Sequence, residues 1–354
     1  MKILMISRDT KVLDKKSPVY LRMCAYAELF DSLCVVVMGK KPGIVDIGEN
    51  DNLHIIDGTS RVKFFSFFFC FVLSHYRIDK KSDWVTTQDP FESGLLGLYI
   101  AKKNNIKFQP QLHTDCFGYF YSRLSFFNFI RKYIALYVLR FATHIRVVSK
   151  RIKDSLIENN VPENKISVLP IFVDIKKFNS KDKEQTQDLS FDAQYKILIS
   201  ARLEKEKNIE LALSAFSKFL RFFPDALLLI AGDGKERLWL QKYAEHLKIE
   251  SRVKFLGWRN DIDVLCHLAD MVLVTSFYEG YCLSLVEAVV AHTPVISTPV
   301  GIAEELPVRI VPYDPGRVAF AMKEIILNRQ SYIQPVFVFD TEEDYLQKFK
   351  KIFY

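Results

Sequence analysis

The feature that most constrains this chain is an alternation. Short, nearly continuous apolar runs are separated by longer segments whose apolar residues recur at helical spacing. ILMI (3–6), LCVVVM (33–38), DWVTT (83–87) and HIRVVS (144–149) are such runs in the first half. A run of this kind keeps no polar face for water, so it predicts a strand buried on both sides. Between the runs, YLRMCAYAELF (20–30) and ESGLLGLYIAKKN (92–104) carry the period of amphipathic helices. Strand–helix alternation predicts a parallel sheet covered on both faces.

KFNSKDKEQTQDLSFDAQY (177–195) breaks the pattern with polar and charged residues. The alternation then restarts with YKILISA (195–201), ALLLIAG (226–232), RVKFLG (252–257), MVLVTS (271–276), PVIST (294–298) and VRIVP (308–312). NIELALSAFSKFLRFF (208–223) is a helix among them. The 354 residues are therefore expected to form two doubly wound α/β domains, 1–175 and 195–338, with a linker at 176–194. DTEEDYLQKFKKIFY (340–354) predicts a terminal helix capped by Asp340 or Thr341, with acids early and lysines late as the helix dipole favours. That helix (339–354) is expected to pack back on the N-terminal domain. Ligands of doubly wound sheets bind at the carboxyl ends of strands, which points to the cleft between the two domains.

Composition narrows the class. Hydrophobic residues at 49% and charged residues at 26% exclude a disordered chain. The net charge of +7 suits anionic partners without choosing among nucleotide phosphates, acidic lipid surfaces and nucleic acid. Cys24, Cys34, Cys70, Cys116, Cys266 and Cys282 form no C-x-x-C pair, so reduced thiols of a cytosolic protein are expected. MKILMISRDT meets charge by Arg8 and does not read as a signal peptide. FFSFFFCFVLS (64–74) is too short to span a bilayer and is expected as a buried or interfacial helix.

FYEGYCLSLVEA (277–288) carries the sharpest chemical signal. After the strand MVLVTS, Phe277–Gly280 makes a turn and LSLVEAVVA continues as a helix. Glu279 then sits at the mouth of the sheet and Glu287 about two turns into the helix. Amides at the helix start, around Gly280, Tyr281, Cys282 and Leu283, would be aimed at an anion. Phosphates need amides and sugar hydroxyls need acceptors, so the pattern suits a nucleotide sugar. Two solvated surface acids would fit the same spacing. ISARLEKEKN (199–208) adds Arg202 and Lys207 just past another strand, where two cations can hold a diphosphate and stabilise its leaving charge. AGDG (231–234) supplies glycines for a close backbone approach.

ARLEKEKN, AGDG, VKFLGW, FYEGYCLSLVEA and TPVISTPVG, in that order, resemble the retaining glycosyltransferases of family 4, the group 1 glycosyltransferases. TQDPFESGLLG (87–97) and LHTD (112–115) resemble them more loosely. The resemblance implies the α/β GT-B architecture, with two Rossmann-like parallel-sheet domains facing across a cleft. It implies a sugar transferred with retention from a UDP- or GDP-linked donor to a glycan or polyprenyl- or lipid-linked acceptor of cell-surface polysaccharide, with no metal and no other cofactor. Arg202 and Lys207 would bind the diphosphate and Glu287 the ribose. Glu279 and His113 would be the catalytic residues at the sugar, with Asp115 a weaker candidate. The base pocket would lie around Gly257, Trp258 and Arg259. The protein would be cytoplasmic, peripheral on the inner face of the membrane, with no nucleic-acid partner. FFSFFFCFVLSHYR (64–77) and FGYFYSRLSFFNFIRKYIALYVLRF (117–141) interleave aromatics with Arg and Lys, which suits anionic headgroups or a polyprenyl-linked glycan. A core face with a snorkelling rim is the plainer reading.

The chain also departs from that pattern. The loop after the first strand, SRDTKVLDKKSPVY (7–20), lacks the family's Gly-Gly; Lys15, Lys16 and Arg22 could replace backbone contacts with charge. His292 stands where a glycine is usual at a helix end, and Cys282 and Ile302 fall where smaller residues are common. DID (261–263) mimics a metal motif, but Asn260 or Asp261 is expected to cap the following helix instead. GDGKER has Arg237 in place of the third glycine of a dinucleotide fingerprint, which argues against a nicotinamide enzyme. The alternatives are a nucleotide-sugar epimerase of the same architecture and a non-catalytic nucleotide-sugar or glycan-binding scaffold.

Overall fold

The structure, a computed structural model, describes residues 1–38, 52–57, 82–173, 191–328, 332 and 341–354. The apolar stretch 64–74 and residues 176–190 of the expected linker lie outside the described residues. The chain divides into two compact units, Met1–Pro170 with Thr341–Tyr354, and Ile171–Asp340.

The first unit runs β1 (Lys2–Ser7), α1 (Pro18–Ala27), β2 (Ser32–Val37), β3 (Leu53–Asp57), β4 (Trp84–Thr87), α2 (Glu92–Asn104), β5 (Lys107–Leu112), α3 (Phe126–Arg140), β6 (Ile145–Val147), α4 (Lys150–Glu158) and β7 (Ile166–Val168). All neighbours pair in parallel, in the order β3-β2-β1-β4-β5-β6-β7. Ile3, Leu4, Met5 and Ile6 are buried, as a strand covered on both faces requires. β5 departs from the apolar rule, because KFQPQL buries Gln109 and Gln111. Both amides bond to Thr86 of β4: Thr86 Oγ1 donates to Gln109 Oε1 at 3.2 Å, and Gln111 Nε2 donates to Thr86 Oγ1 at 3.0 Å. Mutual pairing removes the penalty of burying them.

The second unit runs β8 (Tyr195–Ser200), α5 (Ile209–Phe219), β9 (Ala226–Ala231), α6 (Arg237–His246), β10 (Val253–Gly257), α7 (Ile262–Leu268), β11 (Met271–Val274), α8 (Leu283–Val290), β12 (Val295–Ser297), β13 (Arg309–Ile310) and α9 (Pro315–Leu327). Its sheet is also parallel, in the order β10-β9-β8-β11-β12-β13. Phe216 and Phe219 of α5 and Met322 and Ile325 of α9 share one buried cluster with Ile197 and Leu228 of the sheet. Asp314 caps α9 by accepting from the Arg317 amide at 2.7 Å, with Pro315 in the first turn.

The chain then returns to the first unit with α10 (Glu342–Lys351). Of the two expected caps, Thr341 serves, its Oγ1 accepting from the Asp344 amide at 3.1 Å. Phe349 stacks on Tyr26 at 4.0 Å, and Phe353 meets Trp84 edge-on at 5.6 Å. Such aromatic pairs add stabilisation beyond their buried area.

The glycines of AGDG are required by neighbouring backbone. A Cβ on Gly232 would lie 1.9 Å from the Ala201 carbonyl oxygen, and one on Gly234 would lie 2.3 Å from that of Leu203. Gly234→Ala must therefore push the segment after β8 away. Urea unfolding is expected to show a loss of about 1–3 kcal/mol, the usual effect of overpacking. Wild-type stability in that variant would show that the segment yields freely.

Candidate active site

In a doubly wound sheet, ligands gather where the strand order reverses. In the second unit that point lies between β8 and β11, held in register by Met271 against Ile197 and Val272 against Leu198. The segments that follow these strands are sewn together. The Phe277 amide donates to the Glu206 carbonyl at 2.8 Å, and Thr275 Oγ1 donates to the Lys207 carbonyl at 3.2 Å. This seam brings Lys207 Nζ onto the Glu279 carboxylate as an ion pair, each side chain only 14% exposed. Ser276 Oγ donates to the same Glu279 oxygen at 2.8 Å. A poorly solvated pair of this kind loses hydration and stands on good geometry and extra hydrogen bonds. The family resemblance implies a diphosphate role for Lys207 and a sugar role for Glu279; the structure makes the two side chains partners. Arg202 differs, being 62% exposed and paired with Glu206 at 3.2 Å.

The turn beyond Glu279 is built from unusual backbone. Cys282 occupies the cap position of α8 at φ 73°, in the left-handed region, and no side chain caps the helix. Gly301, at φ 56°, lets the TPVG segment pass beneath it: a Cβ there would lie 2.4 Å from the Tyr281 carbonyl oxygen. The Ile302 amide donates to that same oxygen at 3.2 Å. Gly280 and Tyr281 are buried and Leu283 is exposed. Because α8 begins at Leu283, Glu287 lies one turn into the helix, not two. Glu287 is half-buried. Burial, then Glu279, pushes the Cys282 thiol up to about 12, so it stays protonated and unreactive. His292 sits at φ 55°, the left-handed backbone expected of that helix end.

Gly257 also has positive φ, 71°, and its carbonyl accepts from the Gly232 amide at 2.7 Å. Trp258 beside it is exposed at 64%. Asp261 stands at the cap position of α7, but its carboxylate does not cap. It takes the Arg259 guanidinium through two contacts, Nε to Oδ1 at 2.8 Å and Nη2 to Oδ2. The planar, charge-assisted fork outcompetes a neutral amide. This corrects the capping expectation for Asp261.

In the first unit the glycine-free segment after β1 folds without special backbone. Asp9 Oδ1 accepts from the Lys11 amide at 3.0 Å, Asp14 Oδ1 from the Lys16 amide at 3.0 Å, and Ser17 Oγ from the Tyr20 amide at 3.0 Å. Three short polar side chains thus satisfy the turn and start α1. Lys15 and Lys16 are exposed. Arg8 pairs with Glu92 at 3.0 Å, and Glu92 also takes Arg131 at 2.7 Å, contacts with no signal in the sequence.

His113 follows β5 and is half-buried. Its Nε2 lies 3.4 Å from Gln111 Oε1, which also accepts from Arg146 Nη1 at 2.8 Å. Burial, then the charges of Arg146 and Arg22, pushes the imidazole down to about 3. It is neutral at physiological pH and suited to hydrogen bonding, not to proton transfer. Asp115 is a loop anchor: its buried carboxylate accepts from the Gly118 amide at 3.0 Å, the Phe117 amide at 3.3 Å and Ser155 Oγ at 3.1 Å, with Arg151 at 3.7 Å.

Unfolded histidine titrates near 6.5, well above folded His113. The unfolded state therefore takes the proton first, and stability is lost as pH falls from 6.5 toward 3. Melting temperatures read between pH 7 and 4 are expected to fall less for His113→Gln than for the wild type. Equal acid sensitivity of the two would show that His113 is not held neutral.

The family model for group 1 glycosyl transferases matches residues 180–312, and that for glycosyltransferase family 4 matches residues 43–177. The alpha-monoglucosyldiacylglycerol synthase of Acholeplasma laidlawii is 29% identical over 61% of this chain and 58% of its own length. The Escherichia coli UDP-Gal:alpha-D-GlcNAc-diphosphoundecaprenol alpha-1,3-galactosyltransferase is 26% identical over 64% of this chain and 60% of its own. The chain thus spans a little over half the length of these curated relatives. Among solved structures, Anabaena HepE in complex with UDP and glucose superposes with a TM-score of 0.73 at 18% identity, covering 100% of this chain and 94% of that one. The sucrose-phosphate synthase of Thermosynechococcus elongatus gives 0.77 at 17% identity over the same shares.

Proposed function

The chain belongs to the group 1, or family 4, glycosyltransferases of GT-B fold, and from that footing we propose that it transfers a sugar with retention from a nucleotide-diphosphate donor to a lipid-linked or glycan acceptor. The Lys207–Glu279 pair at the strand reversal carries the reading. Lys207 and Arg202 neutralise the diphosphate and Glu279 accepts from a sugar hydroxyl. Glu287 takes the ribose, and the segment at Gly257 and Trp258 takes the base. From the first unit, His113 acts as a neutral hydrogen-bonding group for the transferred sugar.

In the reaction the bond between the anomeric carbon and the diphosphate oxygen breaks, and the acceptor oxygen bonds to the same face of that carbon. The acceptor proton passes to the departing phosphate oxygen. Charge builds on the diphosphate, where a preorganised lysine stabilises it most. A uridine donor is favoured because HepE was crystallised with UDP and glucose on the same fold. Lipid-linked acceptors are favoured by the two relatives' names.

A thermal-shift panel of UDP, GDP, ADP and CMP tests the donor. A ligand at about 100 times its Kd adds about 2.7 kcal/mol, and UDP is expected to give that shift with or without Mg²⁺. Glu279→Gln is expected to keep the shift while lowering kcat roughly 10²–10³-fold. Unchanged turnover would remove Glu279 from the chemistry, and turnover of the donor without acceptor would favour an epimerase.

The acceptor reading includes a membrane surface. α3 buries only Ala135, Val138 and Leu139, whereas Phe126 and Phe127 are 73% and 72% exposed and Phe129, Ile130, Tyr133 and Tyr137 are also exposed. The exposed rings of α3 therefore lie off its core face. Cations lie among the rings: Arg123 is 3.6 Å from the Tyr119 ring and Lys102 is 3.4 Å from that of Phe141. Aromatics set among cations suit the interface of an anionic bilayer. Wild-type protein is expected to sediment with phosphatidylglycerol vesicles and not with phosphatidylcholine vesicles, and Phe126→Ser/Phe127→Ser to lose that binding. Equal sedimentation of the double variant would exclude α3 as the contact.

A further inference from the structure

Arg146 is a buried cation without a carboxylate partner among the described residues. It is 3% exposed on β6. Nη1 donates to Gln111 Oε1 at 2.8 Å. Nη2 reaches the carbonyls of Leu169 and Pro170 at 3.4 and 3.3 Å and the Tyr345 hydroxyl of α10 at 3.0 Å. The Phe349 ring lies 5.5 Å from the guanidinium carbon, and Nε finds no hydrogen-bond partner. Burying a charge with no counter-ion is strongly unfavourable unless its hydrogen bonds compensate.

What those bonds achieve is visible one residue further on. Gln111 Nε2 donates to Thr86 Oγ1, whose own proton goes to Gln109 Oε1. The Gln111 amide cannot flip: its nitrogen faces an acceptor, and its oxygen faces a guanidinium that can only donate. His113 Nε2 therefore meets an acceptor at 3.4 Å, and to bond there it must carry the proton. The second lone pair of Gln111 Oε1 is available for it.

We propose that Arg146 is a positioning residue: by locking the Gln111 amide it holds His113 in the tautomer protonated on Nε2, leaving Nδ1 as an acceptor for a hydroxyl of the bound sugar. Burial first, and then the charges of Arg146 and Arg22, keeps the ring neutral, so it cannot turn from acceptor to double donor. α10 takes part through Tyr345, which bonds Arg146 and shares a 2.7 Å hydrogen bond with Tyr26. Only the final link, to the sugar, rests on the glycosyltransferase reading, and the proton assignment is measurable without turnover.

The test is nitrogen NMR of full-length protein labelled with ¹⁵N-histidine, with His113→Gln identifying the signal. The wild type is expected to show one tautomer, Nε2 protonated and Nδ1 bare, between pH 5 and 8. A proton on Nδ1, or a mixture, overturns the proposal outright, whatever any variant does. Arg146→Met is expected to give mixed tautomers and to move the titration from about 3 toward about 6.5. An unchanged signal in that folded variant would overturn it too. Should Arg146→Met fail to fold, Gln111→Met leaves the other Arg146 contacts in place; mixed tautomers are expected, and a single Nε2-protonated form would sink the proposal. The expected tautomer in a protein that no nucleotide stabilises would leave the proton assignment standing and the proposed reaction overturned.

Discussion

The parallel pairing of β8 with β11 is the constraint on which the second unit depends. Only two residue pairs hold the register, yet they decide which segments meet at the carboxyl edge of the sheet. At a reversal of strand order the neighbouring connections run to opposite faces, so the segments part and leave room between their side chains. Here the gap is closed by charge: Lys207 from one segment and Glu279 from the other. Gly232 and Gly234 on the adjoining segment let residues 201–203 lie against backbone, which fixes the approach of Lys207. A shift of one residue in this register would carry Lys207 and Glu279 out of reach of each other.

The parts visible in the sequence are those where one physical rule acts alone. β1, β2, β4 and β6 read as strands because their short runs are nearly continuously apolar, as burial on both faces requires. β5 does not, because Gln109, Pro110 and Gln111 look like loop until Thr86 is known to pair with the amides. β3 and β7 are short and lacked a pattern long enough to separate from turn. Lys207 and Glu279 are each legible from their place after a strand, but their pairing spans 72 residues and only the fold creates it. The helix LSLVEAVVA is legible from Leu283 onward, but nothing about a cysteine announces the left-handed backbone that Cys282 adopts just before it. At Asp261 two rules competed, and the guanidinium next door won over the helix amides. The aromatic segment 117–141 was legible in chemistry but not in exposure, since periodicity alone does not say which face is covered.

The two units solve opposite electrostatic problems. The second holds a cation and an anion together with little water around them. The first places a bare cation, Arg146, inside a sheet and uses carbonyls, a tyrosine and a ring face in place of a counter-ion. One arrangement keeps two groups charged; the other keeps a neighbouring imidazole uncharged. Both follow from the same rule, that a buried polar atom must find a partner of the right kind, and both draw that partner from far along the chain.

α10 has a consequence for how the protein comes into being. Tyr345, Phe349 and Phe353 belong to the core of the first unit, yet they follow Ile171–Asp340 in the chain. A ribosome must make the whole second unit before it supplies them. At roughly 5–20 residues per second that takes on the order of ten to thirty seconds. Through that interval the faces of Tyr26, Phe30 and Trp84 that Phe349 and Phe353 cover stay open to water and to chaperones. The first unit is begun first and finished last.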